Sequence, residues 1–232
     1  MYPEYLINND TQDICSRVSE LANSNEPALR ENCLEVSRQT DTSSLAFAEM
    51  CEAKVREINA SFADMMKALE ETSQSLLGAS DIFGTQNRQS YFSLVCRLVV
   101  QIEEKRRDLL SYVAQLTGLR RELASKVADV NRILHFLSLA KRAVSKEMCV
   151  PYAKAIARVE RAYERLTKAD AAIKEVQNFY MTLIDTQLPI FMERLRTAAD
   201  FNHTGASLDR AAIRALCGEL LILQNRVPNV SF

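Results

Sequence analysis

The amino-acid sequence predicts an all-α fold: an elongated antiparallel helical bundle or coiled coil of three long helices, with short flanking helices. Three observations lead there. Glycine and proline number only 5 each in 232 residues, so few turns can be built and the elements between them must be long. Apolar residues recur in alternating steps of three and four over tens of residues, the seam of helices packed side by side. No stretch alternates apolar and polar with period two, so no sheet is expected.

A first helix is expected over 11–23, capped by Asp10 and striped by Ile14, Val18 and Leu21. Pro27 opens a second, 27–39, with Leu29, Cys33 and Val36 inward. The run TDTSS, residues 40–44, consists of residues whose side chains compete for backbone groups, and predicts a break. A third helix, 43–77, has the clearest seam: Ala48, Cys51, Val55, Ile58, Phe62, Met65, Leu69, Thr72 and Leu76. GASDIFGTQNRQS holds two glycines and predicts a loop over 78–89.

A long helix is expected over 90–150. Its seam includes Val95, Leu98, Ile102, Leu109, Leu116, Leu123, Val130, Leu137 and Ala140 and is interrupted only by Lys105 and Lys126. A second row, Val113, Val127, Leu134 and Met148, widens the buried face. The phase passes through Gly118 unbroken, at a cost of about 1 kcal/mol for an interior glycine. Whether Gly118 interrupts the helix is left open by the sequence. Pro151 is read as the stop of this helix and the start of the next, 151–185. There Tyr152, Ala155, Val159, Ala162, Leu166, Ala169, Ile173, Val176, Tyr180 and Leu183 stay in register. Pro189 predicts a break or kink near 185–188, followed by a helix over 189–200 that carries Ile190, Phe191 and Leu195. A last helix, 208–226, is capped by Ser207. The whole chain, 1–232, is read as one helical domain.

Composition narrows the function classes. Hydrophobic residues make up 47% and charged residues 25%, the balance of a folded globular chain rather than a disordered one. The start, MYPEYLINND, has no signal-peptide pattern, and the most apolar run, 92–102, already contains Arg97. A cytoplasmic location is expected. The six cysteines are scattered without CxxC spacing, so reduced, buried thiols are expected. Four Asn-x-Ser/Thr triplets, among them one at Asn59, are read as coincidence.

No phosphate-binding glycine loop, nucleophile elbow or paired Glu-x-x-His motif occurs. Asp200 and His203 have a metal-type interval only once, and His135 is read as a boundary residue. No catalytic residue, metal or cofactor is expected, and the protein is read as no enzyme.

Charge is unevenly spread. Residues 1–86 hold about 15 acids and 6 bases, and the remainder about 15 acids and 23 bases. The plain consequence is an acidic arm packed beside basic ones. The bases of the two later arms, Lys105 through Lys168, are read as spiralling round their helices with acids interleaved. Lys105, Arg106, Arg107, Arg120, Arg121, Lys141 and Arg142 form the candidate binding surface. The expected function is that of an interaction or scaffold protein, with helix faces meeting a protein partner or a second copy. The alternative is a peripheral membrane protein, curvature-binding or toxin-like, using the basic central arm and the run 92–102. An anionic membrane surface is thus a possible partner, whereas nucleic acid is disfavoured by the net charge of −1. The heptads carry no family-specific motif.

Overall fold

Long heptad seams with few breakers fold as the pattern requires. The computed structural model describes residues 26–82, 88–144 and 149–199, with nine further positions between Ala212 and Pro228. These form α1 (Glu26–Ile82, 57 residues), α2 (Arg88–Ala143, 56 residues) and α3 (Cys149–Thr182, 34 residues). A π-helical turn, Leu183–Gln187, then leads into α4 (Leu188–Ala199). Ala212, Ala215, Leu216, Gly218, Glu219, Ile222 and Leu223 are also helical. The fold is an all-α antiparallel bundle of three long helices, with no strand among the described residues. The expected helix 11–23, Ser207, Asp200, His203, Cys15, Cys217 and most of 208–226 lie outside the described residues.

Several boundaries differ from those the sequence suggests. No break occurs at 40–44, because α1 runs straight through. Ser37 Oγ donates to Leu34 O at 2.7 Å, Thr40 Oγ1 to Val36 O at 2.7 Å, and Ser44 Oγ to Asp41 O at 2.9 Å. All three residues are buried. Their hydroxyls bond the preceding turn of the same helix, so side chains that could have competed with the helix are absorbed by it. Helix covers both ends of the loop expected over 78–89, since α1 continues to Ile82 and α2 begins at Arg88; residues 83–87 lie outside the described ones. One glycine, Gly78, is too small a penalty to end a helix of this length.

Helix α2 passes unbroken through Gly118. A Cβ built there meets nothing within 4 Å, so no close approach demands the glycine. The helix ends at Ala143 rather than 150, with Lys141 and Arg142 in its last turn beside the unsatisfied carbonyls. Pro151 stops nothing; it sits in the first turn of α3, where its missing N–H has no helical acceptor.

Pro189 does not break the chain either. Leu188 N–H donates to Leu183 O, five residues back. In that wider register the next donor, to Ile184 O, would be residue 189, and proline has none. Arg106 Nε of α2 fills the role, donating to Ile184 O at 3.0 Å. The π turn also inserts one residue into the heptad. Leu183 and Ile184 are both buried, and the seam resumes at Leu188, Phe191, Met192 and Leu195. Ile190, off the resumed seam, is therefore 54% exposed.

The chain forms two compact units, and α1, α2 and α3 each contribute to both. Of the described residues, unit 1 holds 26–53, 119–144 and 149–172. Its core joins Cys33, Ala48 and Cys51 of α1 to Leu123, Val130 and Leu137 of α2 and to Tyr152, Ala155, Val159, Ala162, Leu166 and Ala169 of α3. The alanines allow the helices to approach closely. Helices α2 and α3 run antiparallel here: Lys141 O meets Cys149 Sγ near one end, and Arg120 pairs with Asp170 at the other.

Of the described residues, unit 2 holds 54–82, 88–118, 173–199 and the positions between Ala212 and Pro228. Its core centres on Phe62, whose ring lies edge-on to Phe179 and Tyr180 at 6.0 and 5.3 Å. Tyr180 Oη donates to Asn59 Oδ1 at 2.7 Å, and Asn59 Nδ2 donates to Pro228 O at 3.4 Å. Asn59 thus has a structural task inside its triplet. Arg194 and Glu219 form a two-pronged pair at 2.6 and 3.1 Å. In the run 92–102, Val95, Leu98, Val99 and Ile102 are buried, while Cys96, Arg97 and Val100 are exposed. No described helix is long and apolar enough to cross a membrane.

Candidate interaction surface

The seven basic residues singled out by sequence divide between the two units. Lys105, Arg106 and Arg107 belong to unit 2, and Arg120, Arg121, Lys141 and Arg142 to unit 1. Lys105 pairs with Asp108 at 3.2 Å. Arg106 is committed to Ile184 O and to Glu103. Arg120 grips Asp170 through Nε and Nη2 at 2.9 and 3.4 Å. Arg107, Arg121, Lys141 and Arg142 are exposed.

A different set shares one face. On α3, within unit 1, Lys154, Arg158, Arg161, Arg165 and Lys168 follow steps of four, three, four and three. At ~100° per residue they occupy about 80° of the helix circumference over roughly 21 Å. The expectation that the bases spiral fails on this helix. The signal was in the sequence, in the spacing within KAIARVERAYERLTK, but it is visible only when α3 is taken alone.

Burial divides the five. Lys154, Arg161 and Lys168 are exposed, whereas Arg158 and Arg165 are half-buried. The half-buried pair lies on the α1 side of the stripe. Arg165 Nη1 donates to Asp41 O and Asp41 Oδ1 at 3.2 Å and to Ser44 Oγ at 3.0 Å, and its Nη2 donates to Asp41 Oδ1 at 3.2 Å. The acidic early arm therefore does meet a basic later arm, through a guanidinium that binds a carboxylate, a carbonyl and a hydroxyl together. Arg158 differs. Its Nη1 is buried and has no hydrogen-bond partner among the described residues. Helices α1 and α3, each antiparallel to α2, run in the same direction. One heptad before Asp41, the register that would serve Arg158, α1 carries Leu34.

Chemistry-bearing groups elsewhere do not gather. No group of three or more His, Cys, Asp or Glu residues that could hold a metal occurs among the described residues. His135, expected at a boundary, is exposed on α2. Cys33 and Cys51 are free and buried, as expected; Cys96 is exposed and Cys149 half-buried, because both lie off the seams. Burial pushes the Cys33 thiol up to about 12. Burial, and secondarily the Glu122 carboxylate, push Cys51 up to about 11. These thiols are poor nucleophiles near neutral pH.

No protein-family model, curated protein or solved structure matches the chain. Its class is defined by the fold and this surface: an all-α antiparallel bundle with a basic stripe along α3.

Proposed function

We propose that the protein is a non-enzymatic helical interaction or scaffold protein that engages a protein partner through a helix face. The observation that carries this reading is the five-base stripe on α3. It is an ordered, one-sided charge pattern laid over a fully buried apolar face. Like charge gathered on one side of a helix is a useful way to steer and orient a partner.

The membrane reading, which draws on the basic central arm and the run 92–102, has less support. The apolar residues it would use at 92–102 are largely in the core of unit 2, and withdrawing them costs about 1.5–3 kcal/mol per large side chain.

Affinity purification from the native host tests the proposal. Wild type is compared with the exposed-rung variant Lys154→Glu/Arg161→Glu/Lys168→Glu. Loss of a defined set of co-purifying proteins is expected; the same set with both proteins contradicts the reading.

A further inference from the structure

Resting on the reading just given, we infer that the α3 stripe is a docking track for an acidic amphipathic helix of a partner protein. Arg158 is the group that receives a carboxylate. Arg165 shows what a rung of this track accepts: the carboxylate and carbonyl of a helical aspartate and the hydroxyl of a serine one turn on. Arg158 stands one heptad earlier in the same position relative to α1, which there offers Leu34. Its Nη1 is out of water with no acceptor among the described residues. A buried charged donor without an acceptor is unfavourable; the atom itself is closed to the outside, so a docked carboxylate relieves that penalty when the half-buried side chain turns outward to meet it.

The exposed rungs fix the partner's shape. Lys154, Arg161 and Lys168 are spaced by seven residues, roughly 10.5 Å apart along the axis. A helix lying alongside, with Asp or Glu on a 4-3-4-3 stripe, presents acids at the same interval. The half-buried rungs favour this occupant over a bilayer, because a flat headgroup plane reaches exposed lysines more readily than a recessed guanidinium. Nucleic acid is disfavoured by the net charge of −1, which leaves no overall basic excess for a phosphate chain.

Fluorescence anisotropy on the full chain provides the test. One labelled helical peptide carries five glutamates on a 4-3-4-3 stripe. A control of the same composition scatters them round the helix. Wild type is expected to bind the striped peptide at least about tenfold more tightly than the control, with affinity falling at higher salt. Arg158→Gln is expected to weaken binding by about tenfold or more. Equal binding of both peptides, no binding of the striped one, or wild-type affinity in Arg158→Gln overturns the inference. So does tighter, Arg158-dependent capture by phosphatidylserine vesicles, or a dimer of the protein that Arg158→Gln dissociates. If the peptide fails while the exposed-rung variant still loses its co-purifying proteins, the interaction reading stands and the acidic-helix partner falls.

Discussion

Residues of one type do different work here according to the backbone they face. Arg106 and Arg120 belong to basic stretches that look free in sequence, yet one bonds a carbonyl of the π turn and the other a carboxylate of α3. The cysteines divide in the same way. Cys33 and Cys51 lie on the α1 seam and are essentially inaccessible. Their folded pKa values, about 12 and about 11, stand above the unfolded value of 9.0. Above pH 9 the unfolded chain releases these protons while the folded one holds them. Stability is therefore intact below pH 9 and falls as pH rises through 11 to 12. Near pH 10.5 the loss is about 1–2 kcal/mol per thiol. Burial also holds the Tyr180 hydroxyl above its usual range, which adds to the alkaline loss. Thermal melts from pH 8 to 11 should show Tm dropping beyond pH 9, with a shallower slope in Cys33→Ala. A native protein whose buried thiols all ionise by pH 9.5, read by ultraviolet absorbance, contradicts this.

At the scale of elements, periodicity was a good guide and breakers were a poor one. Every seam residue named on α3 from Tyr152 to Leu183 is buried, because a 4-3 repeat has one helical solution. TDTSS and Pro189 misled for a shared reason. Each removes or diverts a backbone hydrogen bond, and the fold supplies a substitute that local sequence does not reveal. For TDTSS the substitute is bonding to the preceding turn. For Pro189 it is a π turn whose free carbonyl is met by Arg106, 78 residues away. Arg106→Ala should cost about 1–3 kcal/mol by stranding Ile184 O. Pro189→Ala restores an N–H, lets the turn relax to i→i+4 bonding and removes most of that cost. A double-mutant cycle by urea denaturation should therefore show coupling of at least about 1 kcal/mol between the two sites. Additive effects would show that Arg106 acts only through Glu103 or through packing.

For the whole molecule, the uneven charge shows itself among the described residues in the Asp41–Arg165 contact and in the stripe of bases along α3. Residues 1–86 carry the acidic excess, and Asp41 delivers part of it to Arg165. The candidate surface was only partly legible beforehand, because bases counted along the chain mix α2, where charges are paired or scattered, with α3, where five of them align. Which arginine finds an acid depends on the register between α1 and α3, and that is a property of the packed bundle. The central claim is that Arg165 is part of the fold's own bonding, while Arg158 is held at some cost for something outside it. Urea denaturation of Arg158→Gln beside Arg165→Gln tests this most directly. The account predicts that Arg165→Gln loses about 1–3 kcal/mol, whereas Arg158→Gln is unchanged or more stable than wild type. Equal destabilisation by the two substitutions would make Arg158 an ordinary structural residue and contradict it.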